Sequence, residues 1–178
     1  VYPHRARLDG AGGLRLADGR HLSAGRLVLA PGAAPRHLPE CPTDGARILH
    51  SDHFMAGKAP AAGHYLCVGG GPVNAELVYI LRQFGAEVTW ITDGPRLLDM
   101  DRVPERAGKA LERRLKRLGV SVRTGTVVRE ARVGADGVEV DLSDGSRAGF
   151  DRVLVAVGRA PSTAGLGLEE AGVDVTPE

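Results

Sequence analysis

Six consecutive residues, Gly69, Gly70, Gly71, Pro72, Val73 and Asn74, follow a short apolar run and fit the pattern G-x-G-x-x-G except at its last position. Residues of these types at this spacing can hold a pyrophosphate. The first glycine allows a tight turn and the second lets the backbone come close to the phosphates. A helix starting beyond them supplies free N–H groups and the positive end of its dipole. Pro72 suits the first helical turn, where its missing N–H costs nothing. The third glycine of the pattern brings helix and strand close together, and Asn74 is larger. A slightly displaced helix is expected, with Ala75 giving some relief and binding retained. By itself the motif is weak, because a tight turn between any strand and helix gives the same letters. Its weight depends on the elements that must position it.

Tyr65 to Val68 reads as an apolar strand, and Leu77, Ile80, Leu81 and Phe84 recur at helical spacing until Gly85 stops the helix. Glu87 to Thr92 is a second strand, rich in β-branched and aromatic residues. Asp101 and Pro104 mark the start of a second helix, Glu105 to Arg117. It is expected to bury Ala107, Leu111, Leu115 and the following Leu118 and to leave a charged side to solvent. Gly119 ends it, and Val120 to Arg123 is a third strand. Alternating strands and helices argue for a parallel sheet with right-handed crossovers. After Thr126 the period becomes two: Val138, Val140 and Leu142 alternate with Glu139 and Asp141, and turn dipeptides stand at Asp136-Gly137 and Asp144-Gly145. This antiparallel meander leads into Arg152 to Val157, apolar on successive residues and so expected to be buried on both faces. The fold class expected is α/β: a Rossmann-type parallel sheet with helices on both faces, plus a β-meander, flanked by pieces of a second domain.

The early segment has the same grammar, with strands at Arg5 to Leu8 and Gly13 to Leu16, the turn Asp18-Gly19, and an apolar strand Leu27 to Ala30. Asp18, Gly19, Arg26, Ala30, Gly32, Ala34 and Pro35 recur 126 positions later as Asp144, Gly145, Arg152, Ala156, Gly158, Ala160 and Pro161. An ungapped set of this kind indicates two copies of one domain type. In the second copy Gly69 lies 87 residues before Ala156, and the same interval before Ala30 falls ahead of Val1. On this reading the sequence is a piece, truncated at both ends, of a longer protein. The expected organisation is a remnant of the first domain over 1–35 and a Pro- and Gly-containing linker over 36–62. The dinucleotide-binding domain follows over 63–160, and 161–178 return toward the first domain.

Composition narrows the function classes. A formal net charge of +1 gives no strong field for nucleic acid or a membrane surface, so neither is expected as a partner. The two cysteines, Cys41 and Cys67, form no C-x-x-C or C-x-x-x-x-C, and a reducing, cytoplasmic setting fits best. Cys67, mid-strand beside Val68, reads as a small core residue rather than a nucleophile. His50-Ser51-Asp52-His53 lacks a further ligand cluster, so Ser51 or Asp52 as a helix cap is preferred to a metal site. Cofactor choice turns on the end of the second strand, where an acid takes ribose hydroxyls and an Arg accommodates a 2′-phosphate. Thr92 and Asp93 stand there with Asp99 beyond, which favours NAD, while Arg96 keeps NADP open.

Val68 to Glu76, Arg96-Leu97-Leu98, Ala156 to Pro161 and Leu166-Gly167-Leu168 together resemble the central region of the pyridine nucleotide-disulfide oxidoreductases, the dihydrolipoamide dehydrogenase-like flavoproteins. The resemblance covers essentially the whole chain. It implies that Ala30-Pro31-Gly32 matches the hand-over from flavin to nicotinamide domain, with Pro31 in place of the usual Thr. It further implies that Glu76 lies near the nicotinamide ribose and that the backbone at Val157 and Gly158 faces the nicotinamide amide. A parent of this family would bind FAD as well as NAD or NADP, act as a homodimer and pass hydride from the nicotinamide to flavin and on to an acceptor. The piece itself would bind the dinucleotide without turnover. No catalytic residue and no metal is assigned to it. Two other readings stand beside this one: a non-catalytic dinucleotide-sensing or interaction module, and a self-sufficient dehydrogenase, for which no stretch is long enough to build a substrate domain.

Overall fold

Over the described residues, 1–10, 12–60 and 62–176, the computed structural model forms, in chain order, β1 (Ala6–Leu8), β2 (Gly13–Leu16), β3 (His21–Ser23), β4 (Ala33–Pro35), β5 (Ile48–His50), α1 (Ser51–Met55), β6 (His64–Val68), α2 (Pro72–Gln83), β7 (Glu87–Ile91), α3 (Glu105–Arg117), β8 (Ser121–Arg123), β9 (Val128–Val133), β10 (Val138–Leu142), β11 (Arg147–Phe150), β12 (Arg152–Val155) and β13 (Arg159–Pro161). The chain divides into two compact units, residues 35–158 and residues 1–34 with 159–178.

The larger unit is built on a five-stranded sheet in the order β5-β12-β6-β7-β8, with every neighbouring pair parallel. β5, β6 and β12 are apolar on consecutive residues because both faces are covered. On one face Tyr65, Cys67, Val88, Trp90 and Leu154 meet Leu77, Val78 and Leu81 of α2 and Leu115 of α3. On the other, Leu66, Val68, Ile91, Val153 and Val155 meet Val128, Val138, Val140, Leu142 and Phe150. These last come from the meander, β9, β10 and β11, paired antiparallel. Helices therefore cover one face where both were expected. The crossovers from β6 to β7 and from β7 to β8 step in the same direction across the sheet. Two right-handed crossovers in one direction place α2 and α3 on the same side.

Three local expectations change. Residues 36–62, read as a linker, contain β5 and α1, and Ile48 and Leu49 are fully buried against β12. Two apolar residues are too short a run to announce a strand. In α3 the buried position is Gly108, not Ala107, which is exposed. A Cβ at Gly108 would sit 2.2 Å from the Leu97 carbonyl oxygen, so only glycine lets the helix lie this close to the loop before it. Ahead of α1, the N-cap is His50 rather than Ser51 or Asp52, and the His50 and His53 rings stack with centroids 3.6 Å apart.

The smaller unit holds an antiparallel sheet β1-β2-β3 and the pair β4 and β13. Its buried side chains include Leu8, Leu16 and Leu168, and Leu8 N–H donates to the Leu166 carbonyl at 2.8 Å. Leu27, Val28 and Leu29, expected as a strand, are in no strand and are 39, 88 and 43 % exposed. No strand of the described residues pairs with them. Residue 61 of the 36–62 segment and residues 177–178 of the 161–178 segment lie outside the described residues. Among the described residues no helix is long and apolar enough to cross a membrane.

Candidate functional site

The glycine segment joins the carboxyl end of β6 to α2, the edge of a parallel sheet at which α/β folds bind ligands. Each glycine has its own reason to be there. Gly69 has φ +110, and a Cβ on it would lie 2.5 Å from the Ala156 carbonyl oxygen, so both conformation and space exclude a side chain. At Gly70 a Cβ would lie 2.3 Å from Thr92 Oγ1. Gly71 differs from both. Its backbone is extended (φ −84, ψ 176), and a Cβ there would meet no protein atom within 4 Å. Neither conformation nor neighbours require glycine at 71, and the space beside its backbone is open.

Gly71 is the N-cap of α2 and Pro72 opens the helix, with no side-chain cap and no acid in the first turn. The first intrahelical bond runs from Ala75 N–H to the Gly71 carbonyl, 3.2 Å, so the amides of Val73 and Asn74 precede the helical ladder. That end presents N–H groups and positive dipole without an internal anion to satisfy them.

Asn74 does not simply displace the helix. It is fully buried, and its Nδ2 donates to two strand-end carbonyls, Val68 at 2.8 Å and Gly69 at 2.7 Å. Trp90 Nε1, also fully buried, donates to the same Gly69 carbonyl at 2.7 Å. Gly69 N–H in turn donates to the Ile91 carbonyl at 3.0 Å. The first glycine is thus held on its carbonyl by two side chains and on its amide by β7. Leu98 adds a fourth tie: its N–H donates to the Gly70 carbonyl at 2.9 Å, and it takes φ +53 to do so. Left-handed backbone is strained for leucine and persists where surroundings impose it. Trp90 and Leu98 were not singled out as site residues in the sequence. Trp90 looked like an ordinary strand aromatic, and a left-handed leucine has no sequence signal.

At the end of β7, Thr92 is buried, while Asp93 is exposed and accepts the Gly94 N–H at 3.0 Å. Arg96 turns back onto its own loop: Nε lies 2.8 Å from Asp99 Oδ1, and Nη1 lies 3.3 Å from the Leu98 carbonyl and 3.5 Å from that of Val103. Val157 and Gly158 close the other side. The Val157 Cα lies 3.3 Å from where a Gly69 Cβ would be, and the Gly158 carbonyl accepts the Arg36 N–H at 2.9 Å. The structure therefore gathers Gly69, Gly70, Gly71, Pro72, Val73, Asn74, Thr92 and Val157 at one strand edge, with Asp93 and Gly158 adjoining. Glu76 stands exposed on α2, outside this hydrogen-bonded set.

The two thiols of the unit are held protonated. Burial pushes the Cys67 thiol far above its usual range, and burial followed by the Asp44 charge pushes Cys41 up to about 12. Thiols in such environments stay protonated. Among the described residues no group of three or more His, Cys, Asp or Glu side chains could hold a metal.

Known proteins of similar sequence and fold exist. Dihydrolipoyl dehydrogenase 3 of Pseudomonas aeruginosa is 39% identical over 180 residues, covering 94% of this chain and 37% of the relative. The crystal structure of LpdA from Mycobacterium tuberculosis superposes with a TM-score of 0.83 at 28% identity, over 97% of this chain and 39% of that one. A putidaredoxin reductase in covalent complex with putidaredoxin gives a TM-score of 0.83 at 26% identity, over 97% of this chain and 43% of that one. The chain thus spans well under half the length of these relatives. The family model described as pyridine nucleotide-disulphide oxidoreductase matches residues 3–178, and the chain belongs to that family.

Proposed function

We propose that this chain is the nicotinamide-dinucleotide-binding portion of an FAD-dependent oxidoreductase and positions the nicotinamide for hydride transfer to flavin. One observation carries the proposal. Gly69 and Gly70 are glycine because protein atoms crowd them, whereas Gly71, at the helix N-terminus, is glycine with nothing of the protein near it. An open, uncapped helix end behind a pinned loop suits a pyrophosphate.

In the roles proposed, the amides after Gly71 hold the pyrophosphate and Asp93 accepts from the adenosine ribose. Glu76 lies toward the nicotinamide ribose, and the backbone of Val157 and Gly158 holds the carboxamide. When bound, the nicotinamide supplies a hydride donor. The chain's own part is to bind and orient it, since the cofactors perform the redox chemistry. The flavin, its acceptor and a homodimeric assembly belong to the parent protein in this proposal, with residues 1–35 and 161–178 as parts of its flavin domain.

Trp90 is the only tryptophan in the sequence and is bonded to the glycine turn, so its emission reports on the site. Titration with NADH is expected to quench it saturably. Gly71→Val is expected to weaken NADH at least about tenfold, or roughly 1.4 kcal/mol, while the far-ultraviolet circular dichroism is unchanged. Indifference of the wild-type chain to every dinucleotide would instead favour a binding module of another kind.

A further inference from the structure

The end of β7 carries one exposed acid and two arginines within reach of it along the chain or across the sheet, and the arginines are both engaged. Arg123, paired with Ile91 across β7 and β8, is bound through its guanidinium to Asp144 and, at 3.0 Å, to Ser146 Oγ. Arg96 is bound to Asp99 and to two carbonyls of its own loop, and its Nη1 lies 3.7 Å from where a Gly108 Cβ would be, on the α3 side. Its side chain is only 22% exposed. Asp99 itself packs against the residue after the acid: its Cβ lies 3.4 Å from where a Cβ on Gly94 would be. Asp99 thus does two things at once. It occupies the guanidinium nearer to Asp93 along the chain, Arg102 being the loop's other arginine, and it puts a second carboxylate in the loop that follows Asp93.

We propose that Asp99 is a specificity-determining residue, which keeps Arg96 folded onto the 94–103 loop so that the site takes NADH in preference to NADPH. The proposal rests on the reading that this strand edge binds a nicotinamide dinucleotide. Charge decides the direction: a 2′-phosphate would meet the Asp93 carboxylate while Arg96 is held by Asp99, whereas ribose hydroxyls donate to Asp93. Substituting Asp99→Asn removes one of the charges and the ion pair in the same step while keeping the side chain's size.

The test compares NADH and NADPH dissociation constants, both read from Trp90 emission, in the intact chain. The wild type is expected to bind NADPH at least about tenfold more weakly than NADH, and D99N to narrow that ratio at least about fivefold. The gain should vanish in the double variant D99N/R96Q. Equal affinity of the wild type for both cofactors overturns the proposal, as does a D99N protein that still binds NADH with the ratio unchanged. Arg96→Gln alone decides independently, including the case in which D99N does not fold. A ratio within about twofold of wild type supports an arginine already withdrawn, and a selective loss of NADPH beyond that overturns it. If the wild type binds neither cofactor, the dinucleotide reading itself falls.

Discussion

Asn74 shows how one residue can depart from a motif and keep its purpose. A glycine at that position works by absence, letting the helix close on the strand. Asn74 works by presence: it fills the gap and cross-links helix to strand through the Val68 and Gly69 carbonyls. Both acceptors are carbonyls, so the amide nitrogen must face them, and this leaves Oδ1 buried with no hydrogen-bond partner. A bond of this kind contributes modestly when made and costs more when half removed. Asn74→Ala should therefore destabilise the chain by about 1–3 kcal/mol. Asn74→Asp should be worse, because a carboxylate would face two carbonyls with no cation beside it. Urea denaturation of the three proteins at pH 7 checks the order. If the aspartate variant is as stable as the alanine one, the side chain does not face those carbonyls.

At the scale of elements, the short β5 is set by the turn before it. Asp44 Oδ1 accepts the N–H groups of Ala46, Arg47 and Ile48, each at 2.8 Å, which directs Ile48 and Leu49 into the sheet. Partial burial raises the Asp44 pKa, but the three backbone donors outweigh it and hold the folded value below the ordinary one. The unfolded chain then binds the proton more tightly. Asp44's contribution is full above the unfolded carboxylate value of about 3.9 and is lost as pH falls through the lower folded value. Wild type and Asp44→Asn should differ in denaturant midpoint at pH 7 and converge as pH falls through the lowered folded value of Asp44; a constant difference would rule out this origin. β5 also marks the limit of what the sequence discloses. The βαβ unit was legible because its helical and alternating periods run over many residues, and the glycine turn because its residue types are required locally. Gly108 against the Leu97 carbonyl and Trp90 against the Gly69 carbonyl were not, since each depends on a partner brought close only by the fold. The single helical face depends on the direction of successive crossovers, which periodicity does not encode.

At the scale of the whole molecule, the internal repeat makes a physical comparison possible between two segments of nearly the same letters. Val153, Leu154 and Val155 are at most 2% exposed, held between β5 and β6. Their counterparts 126 positions earlier, Leu27, Val28 and Leu29, are at least 39% exposed and lie in no strand. Composition cannot account for the difference; neighbours can, because an apolar run becomes a buried strand only where other strands pair with it. On the proposed function those neighbours belong to the flavin domain of the parent. Hydrogen exchange measures the difference directly, since protection follows the free energy of opening each segment. In this chain the amides of Leu27, Val28 and Leu29 should exchange almost without protection, while those of Val153, Leu154 and Val155 exchange only near global unfolding. In a parent protein carrying its flavin domain, the first set should become as slow as the second. Equal protection of both sets in this chain alone would mean that residues 27–29 already have their partners here, and the assignment of that segment to another domain's sheet would be lost.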